Sequence, residues 1–422
     1  MLNPGQEFHI VDLPRFKLLM LSWANRFNIF CFLDDNGYSP GESSFDLCLA
    51  AGSHELFLTG PESISLSRIP PNGLFGHLAF ECFDQNPIEI SEPFVDFGKS
   101  FFFEPEHLLR VKNNSLFIAS YSIPPQTIFD EIISSQPIVP PEAYDIQFRH
   151  ALSREEYLNR VHGLLKHIQR GDCYEINFCQ HFFAEQVSIE PLWVYANLCQ
   201  VSPSPFSVLY RLHHTYCLCA SPERFLNKTG TTLLSEPIKG TMKRSPDPVE
   251  DAALRNALSE SLKDKTENVM TVDLVRNDLS IVCEEGSVEV PSLFAIKSFP
   301  KVHHLVSTIT GSIHESTDFS DIMHACFPMG SMTGAPKKRV LELIKEFEKE
   351  PRGLFSGSIG YITPEGNFDF NVVIRSLMYD DEKKILSLKT GGGITANSLP
   401  EDEYEESLLK AEAGMQVVNK SY

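Results

Sequence analysis

Apolar residues in the first 120 positions come in short, nearly unbroken runs. FNIFCFLDDNGY, SSFDLCLAAG, GLFGHLAFECFD and SLFIASYS read as strands bounded by turn residues. The Pro-rich, polar stretch IPPQTIFDEIISSQPIVPPEAYD reads as a connector. LSREEYLNRVHGLLKHIQRGD then takes the helical period. Ser153 with Glu156 makes its capping box and Gly171 its stop. Strands return in CYEINFCQHFFAEQ, FSVLYRL and TYCLCASPERF. From Asp247 two helical units follow, with Leu254, Leu258 and Leu262 at four-residue spacing. PKKRVLELIKEFEK and PEDEYEESLLKAEAGMQVV read as later helices. Between them SGSIGYITPEG, FDFNVVIRSLMYD and KILSLKTGGGITA read as strands with Gly-rich turns. Numerous strands with segregated helices predict an α+β fold with large, mostly antiparallel sheets. The chain divides into an N-terminal region over 1–122, a connector over 123–147 and a larger region over 148–420, interwoven with the first.

Composition narrows the partners. The chain is 42% hydrophobic and 22% charged, an ordinary globular balance. A net charge of −20 argues against nucleic acid, which needs clustered Lys and Arg. Ten cysteines lie scattered; Cys217 and Cys219 lack a second pair for zinc, so reduced core thiols are expected. MLNPGQEFHIVDLPRFK carries no signal-peptide pattern, and no apolar run nears the ~20 residues that span a bilayer. A cytoplasmic protein with no membrane partner is expected.

Several constellations could carry chemistry. Glu403, Glu406 and Lys410 share one helical face, and Asp264 and Glu267 are three apart on another helix. Two acidic pairs could converge on Mg²⁺, with two direct and two water-mediated carboxylates. Ordinary solvated faces fit the same spacing. Gly391, Gly392 and Gly393 could offer backbone N–H groups to an anion, or form a turn. GSMTGAPKK lacks the spacing of a Walker phosphate loop. Arg375, inside the β-branched run NVVIRSLMY, suits a buried carboxylate partner or an exposed strand face. Of His303 and His304, one could face inward and one outward. Glu223 and Lys239 are 16 residues apart, a spacing that fits a hairpin bringing them together. They could act as general acid and nucleophile, or form a surface pair.

PIKGT, SPERF, TENVMTVDLVRND, VHHLVST, GSMTGAPK, GSIGY, VIRS, TGGGI and EYEESLLKA occur in this order. The set resembles the chorismate-utilising enzymes, which include the anthranilate, aminodeoxychorismate, isochorismate and salicylate synthases. The match runs from about Leu152 to Val418. It implies two large antiparallel sheets packed as a sandwich, helices outside, and chorismate held by Mg²⁺ in a cleft. By resemblance, Glu267 and Glu406 bind the metal directly, and Asp264 and Glu403 hold its waters. Arg375 and Tyr361 take the enolpyruvyl carboxylate, helped by Gly391, Gly392 and Gly393. Gly240, Thr241, His304, Ser331 and Lys410 line the rest.

Within this family PIKGT resembles the aminodeoxychorismate synthase branch; anthranilate synthases carry alanine where Lys239 stands. In the former branch the lysine attacks C2 of the ring, the C4 hydroxyl leaves, and ammonia then displaces the lysine from C4. Glu223 is the implied acid, and a pocket that keeps Lys239 neutral is expected. Glu175 stands where water-adding relatives carry a lysine base, which argues against an isochorismate synthase. No cysteine sits in a glutaminase-like elbow, so a separate glutamine amidotransferase subunit, forming a heterodimer, is the expected ammonia source. An LLES-type element is missing, so no tryptophan inhibition is expected. Anthranilate synthase component I and a non-catalytic chorismate-binding paralogue are the alternatives.

Overall fold

The computed structural model describes residues 3–38, 45–54, 57–84, 93–139, 141 and 144–419. Among them the strands form one sheet of twelve and one of ten, with every pairing antiparallel. This is the expected α+β architecture of two large sheets. The apolar runs are unbroken because both faces of the larger sheet are covered. Along the strand Ile29–Asp34, Ile29, Cys31 and Leu33 enter the core shared by the sheets, whereas Phe30 and Phe32 pack under outer helices. The strand Thr215–Ser221 repeats this, with Cys217 and Cys219 inside and Tyr216, Leu218 and Ala220 outside. Helices Leu13–Ala24, Pro125–Ser134, Pro191–Val201 and Pro400–Asn419 supply that outer cover. Helices Leu262–Val282 and Phe319–Cys326 add Val272, Val275, Phe319 and Met323 to the shared core. All ten cysteines are free thiols. No helix among the described residues is long and apolar enough to cross a membrane.

Some elements differ from their sequence reading. The helix Leu13–Ala24 interrupts the strand-like first region; Asp12 caps it, accepting from the Arg15 N–H at 3.1 Å. Inside the connector, Pro125 opens the helix Pro125–Ser134, because the first helical turn needs no N–H from it. Ile128 and Ile132 then bury its inner face. Pro140, Glu142 and Ala143 of the connector, and 39–44 of the FLDDNGYSPGESSFDLCLAAG run, lie outside the described residues. The two units after Asp247 are helices Pro248–Glu260 and Leu262–Val282. Ser261 parts them and accepts from the Asp264 N–H.

Two chain crossings, side by side, join the sheets. Thr215–Ser221 belongs to the larger sheet and Arg224–Thr229 to the smaller, so Pro222 and Glu223 make a corner. Phe368–Asn371 belongs to the smaller sheet and Ser376–Asp380 to the larger, so residues 372–375 make another. The Val372 N–H donates to the Glu223 carbonyl at 3.1 Å, and the Ala220 N–H to the Arg375 carbonyl at 3.2 Å. Arg375, with φ 50°, therefore stands at a corner and not within one continuous strand. The glycines of TGGGI lie in the strand Ile385–Thr395, not in a turn. Gly391, Gly392 and Gly393 face Cys179, Phe178 and Asn177 of the strand Glu175–Glu185.

A buried arginine ties several elements together. Arg352 Nε and Nη2 donate to Glu348 at 2.9 and 2.6 Å, Nη1 to the Met332 carbonyl at 2.6 Å, and Nη2 to the Asn177 carbonyl at 2.8 Å. Only a planar guanidinium reaches all of these. Arg352→Met leaves buried Glu348 without its cation, with only the Cys179 N–H still donating to it, and is expected to cost about 3–5 kcal/mol in denaturant unfolding. Arg352→Lys should recover little of that. A near-neutral Arg352→Met would overturn this reading.

Candidate active site

A cavity of about 630 Å³ lies beside the two crossings. Its walls include Glu223, Lys239, Gly240, Thr241, Asp264, Glu267, His304, Ser331, Arg375, Gly391, Gly392, Gly393, Glu403, Glu406 and Lys410. Tyr361 is absent from this wall. It lines a separate small hollow with Asp34 and Asp369, its ring 4.9 Å from Phe45 and 5.9 Å from Phe75. Phe355, six residues earlier, lines the main cavity instead and has no hydroxyl. The pairing of Tyr361 with Arg375 is therefore corrected.

A bulge aims Lys239. In the strand Ile238–Lys243, Ile238 faces Val306 and Thr241 faces His304, so three steps on one strand match two on the other. The extra residue falls at Lys239–Gly240. Gly240 has φ 90°, and a Cβ there would meet the Asp264 carboxyl at 2.9 Å. Glycine thus permits both the bulge and the close approach of the helix Leu262–Val282. Glu223 and Lys239 are not partners in one hairpin. Arg224–Thr229 pairs with Thr232–Glu236, and Ile238–Lys243 pairs with Val302–Ser312.

Lys239 Nζ donates to Glu175 Oε1 at 2.6 Å, with the two side chains 12% and 6% exposed. Burial alone disfavours the ammonium, but Glu175, Glu267 and Glu223 outweigh it and hold the pKa above the ordinary lysine value. The expectation of a neutral-lysine pocket is corrected: carboxylates surround this lysine and keep it charged. Gly393 makes room for the pair, since a Cβ there would meet Glu175 Oε1 at 2.8 Å and Lys239 Nζ at 3.4 Å. Glu223 is 4% exposed, and burial pushes its pKa up to about 7 against the pull of Ser331 and Lys239. The Ser331 hydroxyl is buried without hydrogen-bond geometry to any described residue.

His303 and His304 are both buried, not split between faces. His303 sits between Ser298 Oγ at 2.8 Å and Asp251 Oδ1 at 3.1 Å, because the helix Pro248–Glu260 covers that face of the strand. His304 Nδ1 lies 2.9 Å from Thr241 Oγ1, and its Nε2 has no partner among the described residues. Burial drives the His304 pKa down to about 3, so its ring is neutral. Arg375 is exposed, lines the cavity, and its side chain makes no hydrogen bond or ion pair to a described residue. Such a guanidinium suits a carboxylate ligand. Sequence reasoning missed Lys263, Phe355 and Ser376 in this wall. Ser376 adjoins Arg375 and has a buried hydroxyl with no partner among the described residues. Lys263 directly precedes Asp264; in each case adjacency was the available signal.

Four carboxylates of the cavity wall come from helices Leu262–Val282 and Pro400–Asn419. Burial raises the pKa of Glu267 and Glu403. The carboxylates of Glu267 and Asp264 have no hydrogen-bond or ion-pair partner among the described residues. Lys410 Nζ bridges Glu406 Oε1 and the Gly391 carbonyl, each at 2.8 Å. No three acidic, histidine or cysteine side chains among the described residues form a ready cage. Mg²⁺ needs none, because it keeps several waters and takes one or two carboxylates. Unpaired, partly buried oxygen donors fit that ion.

The family profile described as chorismate binding enzyme matches residues 50–416. The chain belongs to the chorismate-binding enzymes. Among curated members of similar sequence, aminodeoxychorismate synthase component 1 of Escherichia coli is 41% identical over 281 residues. That match covers 66% of this chain and 61% of the relative, so it spans about six tenths of the curated protein's length. Two solved members share the fold. The menaquinone-specific isochorismate synthase of Escherichia coli superposes with a TM-score of 0.80 at 17% identity, over 99% of this chain and 94% of that one. Anthranilate synthase component I of Streptococcus pneumoniae gives 0.73 at 22% identity, over 97% and 92%. In this chorismate-binding enzyme the cavity at the crossings is lined by every expected site residue except Tyr361.

Folding raises the Glu223 pKa from 4.5 to about 7, so the native state binds the extra proton. Stability is then lost as pH rises through that interval, by on the order of 3 kcal/mol at most. Glu223→Gln carries no such loss, and its Tm is expected to gain on the wild type between about pH 5 and pH 8. A gap that stays flat across thermal scans would sink the assignment.

Proposed function

We propose that this chorismate-binding enzyme aminates chorismate at C4, giving 4-amino-4-deoxychorismate, the precursor of para-aminobenzoate. The observation that carries the reading is Lys239, aimed into the cavity by its bulge, bonded to Glu175 and coupled to buried Glu223. The similarity to aminodeoxychorismate synthase component 1 supports the same reading.

Arg375 pairs with the enolpyruvyl carboxylate, beside Ser376 and against Phe355. Glu267 and Glu406 would hold Mg²⁺ directly, with Asp264 and Glu403 acting through water; when bound, the ion supplies positive charge to the ring carboxylate. Lys239 passes a proton to Glu175 across their 2.6 Å contact and becomes nucleophilic. Its Nζ bonds to C2, both ring double bonds shift, and the C4–O bond breaks. Glu223, protonated below about pH 7, gives its proton to the leaving hydroxyl, which departs as water. Ammonia then bonds to C4 and the C2–N bond breaks. Glu223 takes the surplus proton from the new amine, and Glu175 returns its own to Lys239. One ammonia enters and one water leaves. A separate glutaminase subunit, bound as a heterodimer, supplies the ammonia.

The test is product identity with chorismate, Mg²⁺ and an ammonium salt. 4-Amino-4-deoxychorismate is expected. Anthranilate fluorescence without an added lyase would overturn the reading. Lys239→Ala should lower kcat roughly 10³-fold or more, and unchanged turnover would remove the lysine from the mechanism. Loss of activity in Glu406→Gln, restored by excess Mg²⁺, is expected if Glu406 holds the ion.

A further inference from the structure

A second, smaller cavity adjoins the first. The two share two lining residues, Glu223 and Ser331, and the smaller has a volume of about 20 Å³. That is room for one water molecule, and a buried water needs two or more polar partners. Among its walls are Glu223, Asp278 and Ser331, whose hydroxyl has no partner among the described residues. Asp278 lies about three turns beyond Glu267 on the helix Leu262–Val282, and its side chain is 7% exposed. Its Oδ2 accepts from Lys337 Nζ at 2.6 Å. Lys337 also donates to the Cys326 carbonyl at 3.2 Å, and its side chain, 17% exposed, meets solvent. The amination chemistry uses neither Asp278 nor Lys337.

We propose that Asp278 relays protons to Glu223 through a water in the small cavity; the inference rests on the amination reading above, in which Glu223 is the acid. Glu223 is 4% exposed, and chorismate bound in the main cavity covers it further. An enzyme molecule that binds chorismate with Glu223 ionised has no acid ready for the leaving hydroxyl. The relay restores it. The Asp278 carboxyl gives its proton to the water, and the water gives one of its own to the Glu223 carboxylate. Asp278, left as a carboxylate beside the Lys337 ammonium, regains a proton from solvent. One proton thus passes from solvent to Glu223, and no other bond changes. Burial pushes the Asp278 pKa up to about 6 against the pull of Lys337, near the value of about 7 at Glu223, so the transfer is biased only about tenfold. Besides Lys337, the Cys326 thiol faces Asp278, and burial keeps it neutral. Lys239 and Arg375 face Glu223, and Arg224 of the same small cavity is paired with Glu236 and Asp369.

Asp278→Asn keeps the shape and an acceptor for Lys337 but holds no acid proton. Its kcat is measured at saturating chorismate, Mg²⁺ and ammonia between about pH 6 and about pH 9. The ratio of kcat at about pH 8.5 to kcat at about pH 6 is expected to fall about tenfold below the wild-type ratio, because fewer complexes recover the Glu223 proton. The solvent deuterium isotope effect on kcat should grow over the same range. Asp278→Glu, which keeps an acid, is expected to restore most of the ratio. Should loss of the ion pair unfold Asp278→Asn, the double variant with Lys337→Gln leaves no unpaired ammonium, and the same two changes are expected of it. A loss of equal size at every pH would mark a purely structural role and overturn the relay. So would a ratio and an isotope effect equal to those of the wild type, while amination itself stands. A wild type that forms no aminated product would instead remove the proposed function, and the relay with it.

Discussion

The site depends on two backbone hydrogen bonds that strap the sheet crossings together. Val372 N–H to the Glu223 carbonyl, and Ala220 N–H to the Arg375 carbonyl, hold the two corners in register. A corner is where a strand stops pairing with one sheet and has not begun with the next. Its side chains can therefore leave the pleat and point along the gap between layers. Glu223 and Arg375 use that freedom from neighbouring corners, and the cavity opens between them. The other groups are brought to this fixed pair: Lys239 by a bulge, the carboxylates by two helices, and Glu175 by the first residue of a long strand.

Electrostatics then divide the work. Burial has opposite consequences for Glu223 and His304: it makes the carboxyl keep its proton and the imidazole shed one. Lys239 is buried too, but three carboxylates reverse the outcome. A lysine held as ammonium is a poor nucleophile, so in the proposed mechanism Glu175 serves as its proton store. A glutamine at that position could accept a hydrogen bond but could not take the proton.

Much of this was legible beforehand, for identifiable reasons. Ser153 and Gly171 punctuate their helix in the sequence as they do in the fold. The acidic i, i+3 pairs needed only helical periodicity. Other features had no local signal. The run NVVIRSLMY stays β-branched straight through a change of sheet, so the corner at Arg375 is hidden in it. Lys239 and Glu175 are 64 residues apart and meet only through strand pairing. Pro140, Glu142 and Ala143 aside, the connector held a readable sign, Pro124-Pro125 before an amphipathic turn, masked by its polar setting. Phe355 stands just before the GSIGY motif that ends in Tyr361, and only the fold tells which of the two rings enters the cavity.

Because Glu223 and Arg375 stand on adjoining corners, a molecule gripping both also clasps the two sheets to each other. Occupancy of this cavity should therefore register as resistance of the whole molecule to melting rather than as a local rearrangement. A dye-based melting screen of small dicarboxylates would sort ligands of this cavity by how well they span the corners, with no need for turnover or for a second subunit.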